Sequence, residues 1–377
     1  MSEKKQWIWQ DKNYPHFEYD VKKLDTLMQS ISRKQGELMA LSRVIGTENL
    51  KSSQLGALES EVMSSSAIEG EVLDRDSVKS SIKEKLGIEN IAHYKEKTKE
   101  SNYVDILLDA NKNYKEKLTL EKIFAWHRMM FENNSHTLWD IDIGSFRKKG
   151  TMQVVSGVVG KEKVFYEAPS FDTLSAEMKK YIAWFNATPA SLLKASVAHL
   201  WFVIIHPFDD GNGRITRAIT DRVLSEIEDL NMPRLYAMSK SINSDRKGYY
   251  KALEQTTGYV QKDRLIDITM WHEWFLNTLY KSLKEAIASL GYVVQKAMFW
   301  DVHRNDKLNA RQTKVLNMIL DKGIENFEGG LTTKKYMKMS KTTSATASRD
   351  MKEMVLFACI KQVEGTSGRN VCYDVLI

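Results

Sequence analysis

Apolar residues recur at spacings of three and four over most of the chain, as at Leu24, Leu27, Met28, Ile31 and the stretch from Gln35 to Leu38. With only five prolines in 377 residues, this pattern predicts a mainly α-helical protein. Thr188-Pro189 reads as an N-cap with proline at the first helical position, and the run AHLWFVII follows, so a buried helix is expected from Pro189 to about Ile205. One stretch interrupts the helices. Gly150 to Pro169 is rich in valine, with Gly157 and Gly160 between two β-prone runs, which predicts a hairpin and the only convincing β element before the C-terminal region. Beyond residue 300 the spacing predicts helices over Ala310–Lys322, Thr332–Met339 and Thr343–Cys359, and then two short β-prone runs around a glycine-containing turn.

Three segments follow from this. Residues 1–95 form an N-terminal helical region entered through Trp7-Ile8-Trp9, aromatics suited to anchoring the chain start on the core. Residues 115–290 form a helical core with the hairpin. Residues 300–377 have the element order of a winged helix-turn-helix.

Composition excludes some classes. With 42% hydrophobic and 28% charged residues the chain is globular, and its two cysteines, Cys359 and Cys372, provide neither a disulfide framework nor a cysteine-rich metal site. No run approaches the ~20 apolar residues that cross a bilayer, and the N-terminus lacks the apolar core of a signal peptide, so a cytoplasmic location is expected with no membrane partner. The formal charge of +6 is mild for this length. Much of it is local, since Leu331 to Ile377 carries eight Lys or Arg against four acids.

The chemistry concentrates after the buried helix. Pro207 disfavours helical geometry at His206 and turns it into a loop. Asp209-Asp210-Gly211-Asn212-Gly213-Arg214 follows, and Ile215, Ala218, Ile219, Val223 and Leu224 resume helical spacing. A glycine-containing loop that ends at a helix N-terminus presents free N–H groups and a partial positive charge, which suits an anion. Arg214 and Arg217, three apart in the first turn, oppose the helix dipole but match polyphosphate oxygens. Asp210 offers a carboxylate for Mg²⁺ beside phosphates, and a neutral His206 can act as general base.

The string HPFDDGNGRITR resembles the signature of the Fic family at every defined position. The resemblance spans about 115–290 and implies a helical core that moves AMP from ATP to a Ser, Thr or Tyr hydroxyl of a target protein or of the enzyme itself, with Mg²⁺. It implies His206 as base, Phe208 as loop anchor and Asp210 as metal ligand. It also implies nucleotide contacts from Gly211, Asn212, Gly213, Arg214, Ile215, Thr216 and Arg217. Lys163, Val164, Phe165 and Tyr166 resemble the flap that aligns the target by strand pairing. Tyr249 and Tyr250 resemble the tyrosines that line the nucleotide pocket. Thr257 stands where the family often has Asn.

Upstream, Ser65-Ser66-Ala67-Ile68-Glu69-Gly70 resembles the inhibitory helix of the family, here about 60–73. Ser65 and Glu69 share one helix face. A Glu69–Arg217 pair would take the place of the ATP γ-phosphate, with Gly70 ending the motif. Asn212, where phosphorylating relatives carry Lys, argues for AMP transfer. Two alternatives stay open: removal of AMP from a modified protein, and a DNA-binding regulator that senses nucleotide. For the C-terminal module, with Ser344 to Lys352 as recognition helix and Glu364 to Asn370 as wing, DNA binding, protein docking and homodimer formation are all open.

Overall fold

The computed structural model describes residues 7–88, 99–131, 141–156, 163–229, 234–258 and 265–376. Residues 1–36 and 51–286 form one compact unit, and 37–50 with 287–377 form a second.

The first unit opens on a buried Trp7 and Ile8, then a two-residue strand β1 (Phe17–Glu18). Helix α1 (Val21–Val44) buries Leu24, Ile31 and Leu38, a stripe at every seventh residue. After α2 (Thr47–Ile68), Asp74 caps α3 (Arg75–Lys85) by accepting the Ser77 N–H at 2.7 Å. Helices α4 (Lys99–Lys112) and α5 (Leu120–Phe131) lead to the hairpin, β2 (Gln153–Ser156) and β3 (Lys163–Glu167). These strands pair antiparallel, with an irregularity between Val154 and Val155. The expected glycine turn with Gly157 and Gly160 lies outside the described residues.

Next come α6 (Leu174–Ala187), α7 (Leu192–Ile205) and α8 (Asn212–Glu228). Helix α7 is buried on nearly every side, as its apolar sequence requires, and packs along α8. It starts later than the expected Pro189. Thr188 instead ends α6 in an extended conformation with ψ 127, which the following proline favours, and Ser191 caps α7 by accepting the Lys194 N–H at 3.0 Å. Helices α9 (Met238–Ser244) and α10 (Arg246–Thr257), strand β4 (Ile266–Asp267) and α11 (Thr269–Val302) follow. Strands β1 and β4 pair in parallel, Phe17 with Ile266 and Glu18 with Asp267. The hairpin is therefore not the only β element before the C-terminal region. Two-residue strands carry no alternation that a sequence pattern can register.

The second unit contains α12 (Ala310–Lys322), α13 (Thr333–Ser340), α14 (Ser344–Leu356) and an antiparallel pair, β5 (Ile360–Gln362) with β6 (Tyr373–Val375). Asn309, Thr332 and Thr343 cap the three helices. Helix α14 stops three residues short of the expected Cys359, because Ala358 adopts a left-handed φ of 56. Val315, Leu316, Ile319, Tyr336, Met351 and Ile360 fill its core. Inside it the Asp350 carboxylate accepts from Arg311, Asn309 and the Tyr336 hydroxyl. His303, just after α11, hydrogen-bonds Asp306 at 2.7 Å with the Cys359 sulfur 3.6 Å away. No described helix is long and apolar enough to cross a membrane.

Candidate active site

His206 is the C-cap of α7, held at φ 49 and ψ 60, and its N–H still donates to Phe202 O at 3.0 Å. Its Nδ1 lies 3.4 Å from the Val203 carbonyl. A carbonyl can only accept, so Nδ1 carries the proton and Nε2 keeps the lone pair that a base needs. Burial is the main reason that its pKa is lowered, to about 4; the Val203 carbonyl, Glu69 and Asp210 oppose the drop, and Arg147 adds to it. The imidazole is neutral at pH 7.

Downstream, Phe208 is fully buried and stacks on His127 with ring centroids 4.0 Å apart. The Asn212 side chain closes the loop on itself, accepting from Phe208 N at 3.0 Å and donating to Phe208 O at 2.7 Å. Gly211 sits at φ 82, and a Cβ there would lie 2.9 Å from the Met130 sulfur, so glycine is required twice over. The first intrahelical bond of α8 is Ile215 N–H to Gly211 O, which leaves the N–H groups of Asn212, Gly213 and Arg214 without helical partners. This is the expected anion-binding end.

A carboxylate of the chain itself lies against it. A Cβ on Gly213 would fall 2.0 Å from Glu69 Oε1, so the Glu69 side chain fills the space directly over that backbone. Arg217, 2% exposed, donates from Nη2 to Glu69 Oε1 at 2.8 Å and to the Ser65 carbonyl at 2.9 Å, and from Nε to Ser65 Oγ at 2.7 Å. The Ser65 hydroxyl, which accepts from Arg217, donates to the Tyr103 hydroxyl at 2.6 Å, and Tyr103 donates to Arg214 O at 3.3 Å. Burial alone would raise the Glu69 pKa. The Arg217 charge and hydrogen bond overcome that and hold Glu69 below the usual carboxylate range, with Arg214 and His206 assisting. One Arg217 nitrogen, Nη1, is buried with no partner among the described residues. Gly70 ends the motif at φ 83.

Arg214 is occupied in the same way: Nη1 donates to Glu71 Oε2 at 2.7 Å, and Nη2 lies 3.5 Å from Asp210 Oδ2. Asp210 is 55% exposed, and its other oxygen accepts the Gly211 N–H at 2.5 Å. An exposed, loosely paired carboxylate next to an anion-binding helix end fits Mg²⁺, which prefers one or two carboxylates together with phosphates and water.

His206, Glu69 and Gly213 line a cavity of about 600 Å³ together with Phe165, Tyr166, Tyr249, Tyr250 and Thr257. Tyr249 is buried, with its hydroxyl 3.0 Å from His199 Nε2, so it both packs and lines. Tyr250 is 37% exposed and donates to Ile68 O at 3.3 Å. The Thr257 hydroxyl is spent on Leu253 O at 2.8 Å. Strand β3 brings Tyr166 over α7, where its hydroxyl donates to Ile204 O at 2.7 Å. Trp7 packs edge-on against that ring at 5.6 Å, and Trp9 donates to Glu167 O at 2.7 Å. Val164 lies on the same strand, half-buried, and Lys163 enters through its backbone pairing with Ser156. Ile215 and Thr216 do not join the site: both are fully buried, and the Thr216 hydroxyl donates to Asn212 O at 2.7 Å.

Residues 117–224 match the Fic/DOC family, and residues 7–88 match a domain of unknown function, DUF4172. A Fic family protein from Desulfovibrio desulfuricans superposes with a TM-score of 0.50 at 18% identity, over 93% of this chain and 96% of that one. A Fic domain containing signaling protein from Bacteroides thetaiotaomicron gives 0.51 at 17%, over 71% and 97%. Residues 117–224 are thus similar to Fic domains. Such domains commonly transfer AMP or other nucleotide groups to proteins.

Within this segment two residues escaped the sequence reading. His127 receives the Gly144 N–H on Nδ1 at 2.8 Å, so its Nε2 carries the proton and donates to Asp210 O at 3.1 Å, which fixes the Asp210 peptide. Arg147 donates to His206 O at 3.0 Å. Neither lies near the signature in sequence. Only a preceding aromatic pattern, in FAWHRMMF and SFR, marks them, and that pattern is shared by any packed helix or loop.

Proposed function

We propose that this protein transfers AMP from ATP to a hydroxyl side chain of a target protein or of itself, and that Glu69 holds the reaction back. The observation that carries this reading is the Glu69 carboxylate paired with Arg217 over the N-terminus of α8, the place where a phosphate would sit. In the reaction, His206 Nε2 takes the proton of the target hydroxyl as its oxygen attacks the α-phosphorus; the bond to the β-phosphate bridging oxygen breaks and pyrophosphate leaves. Arg214, Arg217 and the N–H groups of Asn212 and Gly213 hold the phosphate oxygens. Asp210 would hold Mg²⁺, which neutralises phosphate charge. The adenosine would lie in the cavity against Tyr249 and Tyr250, and the target chain beside β3.

With Glu69 in place the γ-phosphate has no arginine, and ATP binds in an unproductive pose. The same arrangement supports a second reading, because Glu69 and His206 line one cavity and a carboxylate there can orient a water for removal of AMP from a modified protein. The test uses ATP labelled at the α or the γ position with wild type, Glu69→Gly and Glu69→Gly/His206→Ala in a cell lysate. Protein label from the α position alone, raised in Glu69→Gly and lost in the double variant, supports AMP transfer. Label from γ alone would mean phosphorylation, and no label with either nucleotide would sink the transferase reading.

A further inference from the structure

The last turn of α7 has carbonyls that no helical N–H can reach, and it carries the candidate base. The Ile204 carbonyl receives the Tyr166 hydroxyl, and the Val203 carbonyl faces His206 Nδ1. The carbonyls of His206 and Pro207 are taken by a single residue, Arg147. Its Nε donates to His206 O at 3.0 Å, and its backbone N–H donates to Pro207 O at 3.1 Å. Its Nη2 turns the other way and donates to Pro169 O, just beyond β3.

Arg147 is 1% exposed, and among the described residues its side-chain hydrogen bonds go to backbone carbonyls. Its Nη1 has no partner among the described residues, and burial pulls its pKa down. The Asp209 charge offsets that burial only in part, and a buried cation with no direct ion pair is expensive, so an apolar side chain of equal length would stabilise the fold better. The planar fork does what no apolar residue can: it joins two backbone carbonyls, His206 O of the base loop and Pro169 O at the end of the flap. His206 also needs such a hold, because a non-glycine residue at φ 49 is in a sparsely populated region that persists only where its surroundings impose it.

We propose that Arg147 is a positioning residue that holds the His206 peptide in its left-handed conformation and ties the base to the flap, so that Nε2 points at the target hydroxyl. This rests on the transferase reading only for its kinetic readout. The charged groups facing His206 are Glu69 from the turn after α2, Asp210 from the loop and Arg147. Arg147 opposes protonation of the imidazole and the two acids favour it, so loss of the guanidinium also raises the His206 pKa.

The test compares Arg147→Met and Arg147→Lys, each in the Glu69→Gly background, with Glu69→Gly alone. Misplacing a base by about 1 Å costs roughly 10²-fold, so Arg147→Met should lose about that much kcat. KM for Mg-ATP should stay within about three-fold, since the phosphate ligands lie on α8. Arg147→Lys, which keeps the charge and can reach one carbonyl, should recover part of the loss with the acid limb of the pH profile unmoved, whereas Arg147→Met should shift that limb to higher pH. A folded Arg147→Met with kcat near the parent, or a Lys variant as poor as Met with neither limb moved, would overturn the proposal. Should Arg147→Met not fold, Arg147→Lys decides: a lower kcat at constant KM supports the role, and an unchanged kcat removes it. If Glu69→Gly itself transfers no AMP, the transferase reading fails, and NMR titration of His206 in wild type and Arg147→Met decides instead, an unchanged pKa counting against Arg147.

Discussion

At the scale of single residues, the site depends on keeping one imidazole neutral and aimed. Burial lowers the His206 pKa to about 4, from an ordinary value near 6.5, so the ring stays an unprotonated base well into mildly acidic solution. The acid limb of kcat should therefore fall near pH 4 to 5. Glu69 favours protonation of His206, so Glu69→Gly should bring the limb no higher. A limb at the ordinary histidine value would mean that His206 is not the group being titrated. His206→Ala should remove transfer by at least the roughly 10²–10⁴-fold that a positioned base contributes, while binding of a fluorescent ATP analogue is retained. That separation follows from the geometry, because every phosphate-facing group named above belongs to α8 or its loop and none to His206.

At the scale of elements, α2 decides most. Glu61, Ser65 and Glu69 recur every fourth residue and lie along one face, so a single stripe of polar side chains meets Ser239, Arg217 and the N-terminus of α8. In the proposed function the Glu69 end is the brake. A buried charge-assisted pair contributes on the order of 1.5–3 kcal/mol, so Glu69→Gly should raise self-modification by roughly ten-fold or more. The Glu61 end is a proton store. Glu61 accepts from Ser239 N at 2.9 Å and shares Arg234 with Asp221, so one arginine serves several buried acids. Burial first and Asp221 second raise Glu61 to about 7. Because its folded pKa lies above the unfolded value, its contribution is present below about pH 4.5 and is lost as pH rises through 7. Glu61→Gln copies the protonated form, and its melting temperature should gain on wild type between pH 5 and 8. A constant difference over that range would show that Glu61 is already charged.

At the scale of the whole molecule, acid sensitivity collects in the unit that holds the site. Burial lowers His127, His206 and His272 to about 4 and His199 to about 3. Each has a folded pKa below its unfolded one, so each contributes stability that is complete above about pH 6.5 and is lost as pH falls toward 4, at up to ~1.4 kcal/mol per pH unit. Glu61, Asp221 and Glu228, raised mainly by burial, act in the opposite direction. Above about pH 6.5 the histidine contribution is complete while that of the raised acids is still being lost, Glu61 through about 7. The melting temperature of this unit should then peak close to pH 6.5. A steady rise from pH 6.5 to 8 in calorimetry would contradict the balance.

The sequence by itself determined what is local. Helix α7 is visible as an unbroken apolar run, the turn at His206 follows from Pro207, and α12 is recovered residue for residue because apolar period and caps agree along the same few residues. The signature is likewise written in twelve consecutive residues, and Arg214 with Arg217, and Ser65 with Glu69, each lie about one helical turn apart. Tertiary structure decided what no local pattern encodes. It decided that Ser191 rather than Thr188 opens α7, and that β1 finds β4 across about 250 residues. It also put Ile215 and Thr216 in the core and set Arg147 and His127 behind the loop. Helix α2 shows the reason most clearly. Its buried face mixes Leu58 and Val62 with Glu61 and Ser65, so it has little hydrophobic period, and its polar residues are buried only because Ser239 and Arg217, more than 150 residues away, supply their partners.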